Sequence, residues 1–421
     1  MARATPFVGH GDDAPVSGEN TVSGESTFGF EELFFSRTDP AGVIKYGNSV
    51  FRRVSAYDWE DLLNKPHKIV RHPEMPRAVF WLLWKTLKDG EPIGAYLKNQ
   101  TKDGRSYWVF ALVTPVKDGY LSVQMRPRSE YFDIVQSIYE DLAGRERREE
   151  MTPADSAALF LEKLHEFGFE DYPSFMAAAL GKELMSRDRH LGNTADSVVY
   201  KFDELLKVTR SFLNEAQAIT VAYKENEIVP TNFRILASQL GQAGAAIAVI
   251  SDNYSILSKD MHKLVEGFIA SAQSVVDTIN TSYFLTGAAR MQREVMDIFK
   301  NEEMGANETG REREMDLLRR QQADYIDKTR RSLGDISAQC TGFCRTCVEL
   351  ERLATGLEVM RVVGKVECSN YLDVKDRVDN LLQELETFQK TVTGALKALT
   401  RMNVLIQQEA DHLRLQSEKA A

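Results

Sequence analysis

After residue 173 the chain uses proline once, at Pro230, and over that stretch its apolar residues recur every three or four positions. Proline deletes a helical hydrogen bond and clashes with the preceding turn. A long stretch nearly free of it, with that period, is restricted to helix. From about residue 196 the pattern is almost continuously helical, and residues 196–226 alone would extend roughly 45 Å at 1.5 Å per residue. The clearest break falls at 304–310. Helices are expected again over 311–355 and 370–416, with Gly356 and Gly364 marking a turn between them. Val378, Leu381, Leu382, Leu385, Phe388, Val392, Leu396 and Leu399 form one stripe, which suits antiparallel hairpins or a dimeric bundle. The expected parts are a long hairpin over 196–303 and a C-terminal hairpin over 311–416.

A chain of 421 residues is too long for one core, and its first half reads differently. Residues 1–27 are rich in Gly, Ser, Asp and Thr with few large apolars, and are expected to form a flexible tail. Residues 28–128 look mixed. A strand is expected at 42–46, short helical pieces near 51–54 and 59–63, and a helix over 75–87 with Val79, Phe80, Leu83, Trp84 and Leu87 on one face. Strands follow at 93–100, 106–115 and 119–125, joined by turns at Lys102-Asp103-Gly104 and Lys117-Asp118-Gly119. Residues 129–150 read as a charged amphipathic linker helix with Ile134, Val135, Ile138 and Leu142 on one side. It is either a transmitter of movement or a solvated connection. Residues 151–195, dense in Phe160, Phe167, Phe169, Tyr172 and Phe175, read as a small helical module.

Two segments of this first half carry a resemblance. One is Pro66-His67-Lys68-Ile69-Val70-Arg71-His72-Pro73-Glu74-Met75-Pro76. The other is Lys98-Asn99 followed by Lys102-Asp103-Gly104-Arg105-Ser106-Tyr107-Trp108-Val109. In order and spacing they resemble the PAS sensor domain of bacterial aerotaxis receptors, over residues 30–128. The resemblance implies an α+β domain, an antiparallel sheet with flanking helices, that holds FAD without covalent linkage and reports redox state. The positions matching that family's FAD-binding residues are Asn48, Arg71, His72, Glu74, Trp84 and Asn99. Glu74 stands where the family usually has Asp, and Ile93 replaces an aromatic that often follows the Gly90-Glu91-Pro92 turn.

The residue types suit that cofactor independently. A flavin nucleotide needs flat apolar walls, polar groups at the ring edge and positive charge for its phosphates. Trp84 and Phe80 can supply walls, Asn48 and Asn99 amides, and Arg71, His72 and Lys98 the charge. Haem is the alternative, since some PAS sensors ligate it through His. His67 is read as either a backbone cap or a cofactor contact, and Trp108 as core.

The net charge is −10; residues 28–128 hold sixteen Lys and Arg against eleven Asp and Glu, so the remainder carries about −15. An acidic chain lacks the concentrated basic surface that nucleic acid requires. No stretch approaches the ~20 apolar residues that cross a bilayer. The N-terminus resembles neither a signal peptide nor an anchor, so a soluble cytoplasmic protein is expected.

Residues 230–261 resemble a degenerate chemoreceptor tip. Thr231-Asn232 precedes Ile235-Leu236-Ala237, Gly241, the small-residue run from Gly244 to Ser251, and Ile256-Leu257. Gln239, Gly241 and Gln242 occupy positions where that family has acidic residues and Arg. The helical region is thus similar to that of methyl-accepting chemotaxis proteins. The resemblance implies a homodimer and, as partner, the chemotaxis kinase and its coupling protein. No catalytic signature or Gly-rich phosphate loop is present. Cys340, Cys344 and Cys347 fall on one helical face, where packing is expected rather than metal binding. His190 and His262 read as surface or packing histidines. The chain is read as a soluble redox or oxygen sensor and not an enzyme, with a non-sensing PAS scaffold as the alternative.

Overall fold

The computed structural model of the protein describes residues 24–26, 28–194, 196–239, 244–301, 308–368 and 375–419. Five antiparallel strands, β1 Leu33–Thr38, β2 Ile44–Gly47, β3 Ile93–Gln100, β4 Ser106–Val116 and β5 Gly119–Met125, make one sheet in the order β2-β1-β5-β4-β3. Helices α1 Ser49–Ser55 and α2 Trp59–Leu62, a 3-10 turn His67–Val70 and helix α3 Arg77–Lys88 lie between β2 and β3. An antiparallel sheet with flanking helices followed by a mostly helical region is the expected fold class.

Strand β1 is absent from the sequence reading. Its sequence Leu-Phe-Phe-Ser-Arg-Thr is buried at five of six positions, so it shows no apolar-polar alternation to betray it. Both faces of the sheet are covered. Ser36 and Thr38 face α3, while Phe35 and Arg37 face the other way, toward the helical half.

Four helices, α7 Ser197–Asn226, α9 Ala245–Asn301, α10 Glu308–Cys368 and α11 Lys375–Lys419, form a closed ring in which α9 and α11 each lie beside both α7 and α10. Helix α9 has 57 residues, about 85 Å at 1.5 Å per residue. The segments read as two hairpins therefore interleave as one four-helix bundle within a single chain. Their apolar stripes find partners in cis, at a smaller entropy cost than association of two chains. No turn occurs at Gly356 or Gly364. Helix α10 runs through both, and a Cβ at Gly356 would stand 3.2 Å from Leu257. These glycines admit a neighbouring helix at close range. Helix α8 Val229–Gln239 turns back on α9, with Ser251 Oγ donating to Pro230 O at 2.6 Å. Residues 240–243, which include Gly241 and Gln242 of the proposed tip, and residues 302–307, which include 304–307 of the expected break, lie outside the described residues, as does the side chain of Val378.

Helix α4 Glu130–Arg148 folds back along the sheet instead of leading away from it. Trp108 meets Phe132 edge-on at 5.3 Å, and Tyr139 OH donates to Tyr96 O at 3.2 Å. Helices α5 Pro153–Glu166 and α6 Tyr172–Leu191 complete this layer. Glu183 of α6, buried, accepts from Tyr96 OH at 2.8 Å and from Ser129 Oγ and Arg128 N at 2.6 Å. Arg290 of α9 grips Asp188 of α6 in a bidentate pair. Residues 129–191 thus join sheet to bundle as a continuous packed layer. Within the stretch read as tail, Ser26 N donates to Ser106 O at 2.7 Å, and Phe28, just beyond it, is buried; residues 1–23 and 27 lie outside the described residues.

The bundle absorbs the cysteines. Cys340 and Cys347 are buried, and burial pushes their thiols up to about 12 and about 11. Asn403 Nδ2 donates to Cys340 O at 2.9 Å and to Cys344 Sγ at 3.0 Å. Cys368's side chain lies outside the described residues. His190 Nδ1 donates to Ser186 O at 2.8 Å, and its ring stacks on Phe30 at 4.3 Å. His262 stacks on Tyr223 at 4.0 Å.

Candidate functional site

Between the inner face of the sheet and α3 lies a cavity of about 280 Å³, near the lower end of the roughly 300–1,000 Å³ range of ligand sites. Helical spacing aims Phe80, Leu83, Trp84 and Leu87 of α3 at it, and alternation aims Leu97 of β3 and Val113 of β4. Among these apolar walls stand polar groups from three strands. Ser36 of β1 lies opposite Ser122 of β5, Gln124 is one pleat further along β5, and Asn99 projects from β3.

The two sequence segments meet here. Arg71 pairs as a bridge with Asn99, and His72 N donates to Lys98 O at 3.2 Å. Of the six predicted residues, Arg71, Trp84 and Asn99 line the cavity. The Arg71 guanidinium lies 3.8 Å from the centre of the Phe80 ring, and its Nη2 donates to Met75 O at 3.3 Å. No carboxylate pairs with it among the described residues. Burial pushes its pKa down, with Glu146 opposing that shift. Trp84 meets Tyr120 edge-on at 5.4 Å and covers Gly42, whose φ of +77° belongs to the left-handed region that suits glycine.

The other three do not line it. Asn48 is buried, its Oδ1 accepting from Phe35 N at 3.2 Å and Phe51 N at 3.4 Å and its Nδ2 donating to Leu33 O at 3.2 Å. It caps α1 and ties β1 to the next turn, which engages both ends of the amide. His72 Nδ1 accepts from Glu74 N at 3.2 Å. Glu74 pairs with Lys98 Nζ at 2.6 Å on the surface, which holds its carboxyl below the usual range. These two order the loop that presents Arg71.

His67, Ser36, Ser122 and Gln124 also line the cavity and had no place in the predicted set. His67 Nε2 lies 3.1 Å from Ser36 Oγ, its ring parallel to Phe51, and burial pushes its pKa down to about 4, so the imidazole is neutral at pH 7. Gln124 Nε2 donates to Ser122 Oγ at 3.1 Å, and its Oε1 is buried without a partner. The signal for Ser122 and Gln124 was available. They are polar residues at every second position of β5, whose other face is apolar, with Leu121, Val123 and Met125 alternating against them. His67 is the histidine that lines the cavity among the described residues, and its Nε2 is engaged by Ser36, which disfavours haem ligation there.

Residues 44–123 match the PAS fold family. The region from Ile44 to Val123 is a PAS domain. An aerotaxis receptor of Escherichia coli is 38% identical over 136 residues, 31% of this chain and 26% of that protein. The nitrogen fixation regulatory protein of Klebsiella pneumoniae is 28% identical over 158 residues, 36% of this chain and 31% of that protein. The biofilm dispersion protein BdlA of Pseudomonas aeruginosa is 30% identical over 82 residues. The chain spans less than a third of the length of the two longer matches. Among solved structures, the light state of the blue-light photoreceptor Aureochrome1 LOV is 18% identical, covering 25% of this chain and 89% of that one with a TM-score of 0.23. A light-oxygen-voltage domain studied with a flavin analogue is 23% identical, covering 26% and 86% with a TM-score of 0.23. The PAS domain is therefore homologous to that of the aerotaxis receptor. Among the described residues no helix is long and apolar enough to cross a membrane.

Proposed function

We propose that the PAS cavity holds a flavin nucleotide, FAD, and that the chain is a redox sensor whose helical bundle is the output. The observation that carries this is the pairing of two unmet demands on one cavity. Arg71 is a half-buried cation without a carboxylate within pairing distance, and Gln124 Oε1 is a buried acceptor without a donor. Burying such groups costs free energy unless a ligand satisfies them. A flavin nucleotide carries both complements, phosphates for a guanidinium and a ring N–H for an amide oxygen, on a flat body suited to Trp84 and Phe80. When bound, the group supplies a change of charge and hydrogen-bonding capacity on reduction. Asn99, Ser122 and Gln124 orient its edge, and the apolar walls exclude water.

The output route follows from strand alternation. Ser36 lines the cavity, and the next residue, Arg37, donates from Nε to Glu314 Oε1 of α10 at 2.6 Å. Val113 lines it, and the next residue, Thr114, shares a 2.6 Å hydrogen bond with Tyr325 OH of α10. A shift of β1 or β4 of a few tenths of an ångström therefore acts on the bundle directly. The listener is a signalling protein, with the chemotaxis kinase or its coupling protein as first candidates, and the sensor works without catalysis.

The test is reconstitution with FAD. The expected result is a yellow protein that retains flavin through gel filtration, with Arg71→Ala weakening retention. A protein that takes up neither FAD nor FMN refutes the flavin reading. Pull-down of the chemotaxis kinase under oxidising and reducing conditions tests the output; no capture in either state refutes that partner.

A further inference from the structure

Helix α3 forms one wall of the cavity and begins without a cap of its own. Its N-cap residue is Pro76, which makes no side-chain hydrogen bond to the first turn, and that turn holds no acidic residue. The first N–H groups of a helix need acceptors, and its positive end favours an anion. A residue 69 positions away supplies both. Glu146, near the end of α4, accepts from Arg77 N at Oε2, 2.9 Å, and from Ala78 N at Oε1, 3.3 Å. Its side chain is only 8% exposed, and Arg77 Nε lies 3.5 Å away. Ser156 Oγ of α5 donates to the same carboxylate at 2.5 Å, and Arg77 Nη2 donates to Met151 O at 2.7 Å.

One carboxylate thus gathers three elements, α3, α4 and α5, at the α4–α5 corner. Two residues beyond Ala78 comes Phe80, the ring on which Arg71 lies. Glu146 also provides the favourable charge felt by Arg71. A displacement of α3 that opens the cavity must pull Arg77 and Ala78 off Glu146. A displacement of α4 against α5 must remove the cap from α3.

We infer that Glu146 is a positioning residue of the cavity, a cap supplied by a distant segment of the same chain that makes ligand affinity and the order of the α4–α5 corner depend on one another. Such coupling is reciprocal for binding free energies, so each side can be read from the other. The inference rests on the flavin reading only for its probe.

The experiment compares the full-length chain with its E146A, E146Q and S156A variants, measuring amide hydrogen exchange and the dissociation constant for FAD. E146A is expected to speed exchange from Arg77 through Trp84 and to weaken FAD binding about fivefold to tenfold, the effect of losing one helix cap. E146Q keeps one acceptor oxygen and is expected to fall between. S156A, which leaves both α3 contacts in place, is expected to loosen the 146–156 corner with at most a twofold change in affinity. FAD is expected to slow exchange at the corner in the parent protein and not in E146A. A corner that responds equally to FAD in E146A, or exchange that quickens at Arg77 and Ala78 alone with affinity unchanged, overturns the inference and leaves a local cap. Should the parent protein take up no FAD, the flavin reading fails by itself. Ligand-free exchange from Phe80 to Trp84 then decides the role of Glu146, faster in E146A upholding it and unchanged refuting it. If E146A does not fold, E146Q is read against the same outcomes.

Discussion

Replacing Glu183 with Ala removes the carboxylate on which sheet, connecting turn and α6 converge. Four donors lose their acceptor: Arg128 N, Ser129 N, Ser129 Oγ and Tyr96 OH. The two hydroxyls already lie 3.4 Å apart and can pair with each other, so the lasting loss is the two N–H groups. At about 1–3 kcal/mol for each buried donor left unmade, the cost is about 3 kcal/mol. Glu183→Gln keeps one acceptor oxygen and sheds a buried charge, so it should cost about 1 kcal/mol. Burial raises the Glu183 carboxyl above its ordinary 4.5. The native protein therefore holds this proton to a higher pH than the unfolded chain. That contribution to stability is full below 4.5 and is lost as pH rises through the elevated native value. The Gln variant should lack this slope. All four tryptophans, Trp59, Trp81, Trp84 and Trp108, lie in the PAS domain, so urea unfolding followed by tryptophan emission reports on it selectively. A loss below about 1 kcal/mol for the Ala variant, or an unchanged pH slope for the Gln variant, would refute the reasoning.

Gln124→Leu should change the stability of the ligand-free protein by less than about 1 kcal/mol, since losing the Nε2–Ser122 hydrogen bond is offset by removing the unpaired Oε1, while weakening FAD binding about tenfold; thermal melts and a fluorescence titration check that the two effects separate. His67 is neutral in the native state down to about 4 against an ordinary 6.5. Stability should therefore fall by up to about 3 kcal/mol as pH drops from 6.5 to 4, where only the unfolded chain takes the proton. His67→Gln, compared by urea titration across that range, should flatten the fall. Asn48→Ala should cost about 3 kcal/mol, from a lost cap and two further hydrogen bonds, with FAD uptake per folded molecule unchanged; loss of uptake in fully folded protein would return Asn48 to the cavity. Tyr325→Phe should cost about 1 kcal/mol and reduce the response of α10 amide exchange to reduction of the flavin.

Much of this molecule was legible in its residues because the signals are local. Helical period without proline announced the long helices, and glycine at Gly104 and Gly119 announced the hairpins that stack β3, β4 and β5. The Arg71-His72 corner and the Lys98-Asn99 strand were recognisable as a pair, and backbone pairing between them gives that recognition a physical basis. Arg71, Trp84 and Asn99 could be placed at the cavity from their chemistry. Asn48 could not, because an amide that caps a helix and one that meets a ligand look alike in sequence.

Long-range packing decided the rest. Period and composition give each helix an apolar stripe but do not name its partner. Only the fold shows that α7, α9, α10 and α11 satisfy one another within one chain, and that Gly356 and Gly364 serve close approach instead of a turn. Strand β1 hid because helices bury both its faces, which erases the alternation that marks a half-buried strand. Nothing in the sequence singles out Glu146 or Glu183 from the other acidic residues of their helices. Contacts from residues more than fifty positions away made them caps, since an acceptor's value depends on which donors the fold brings to it.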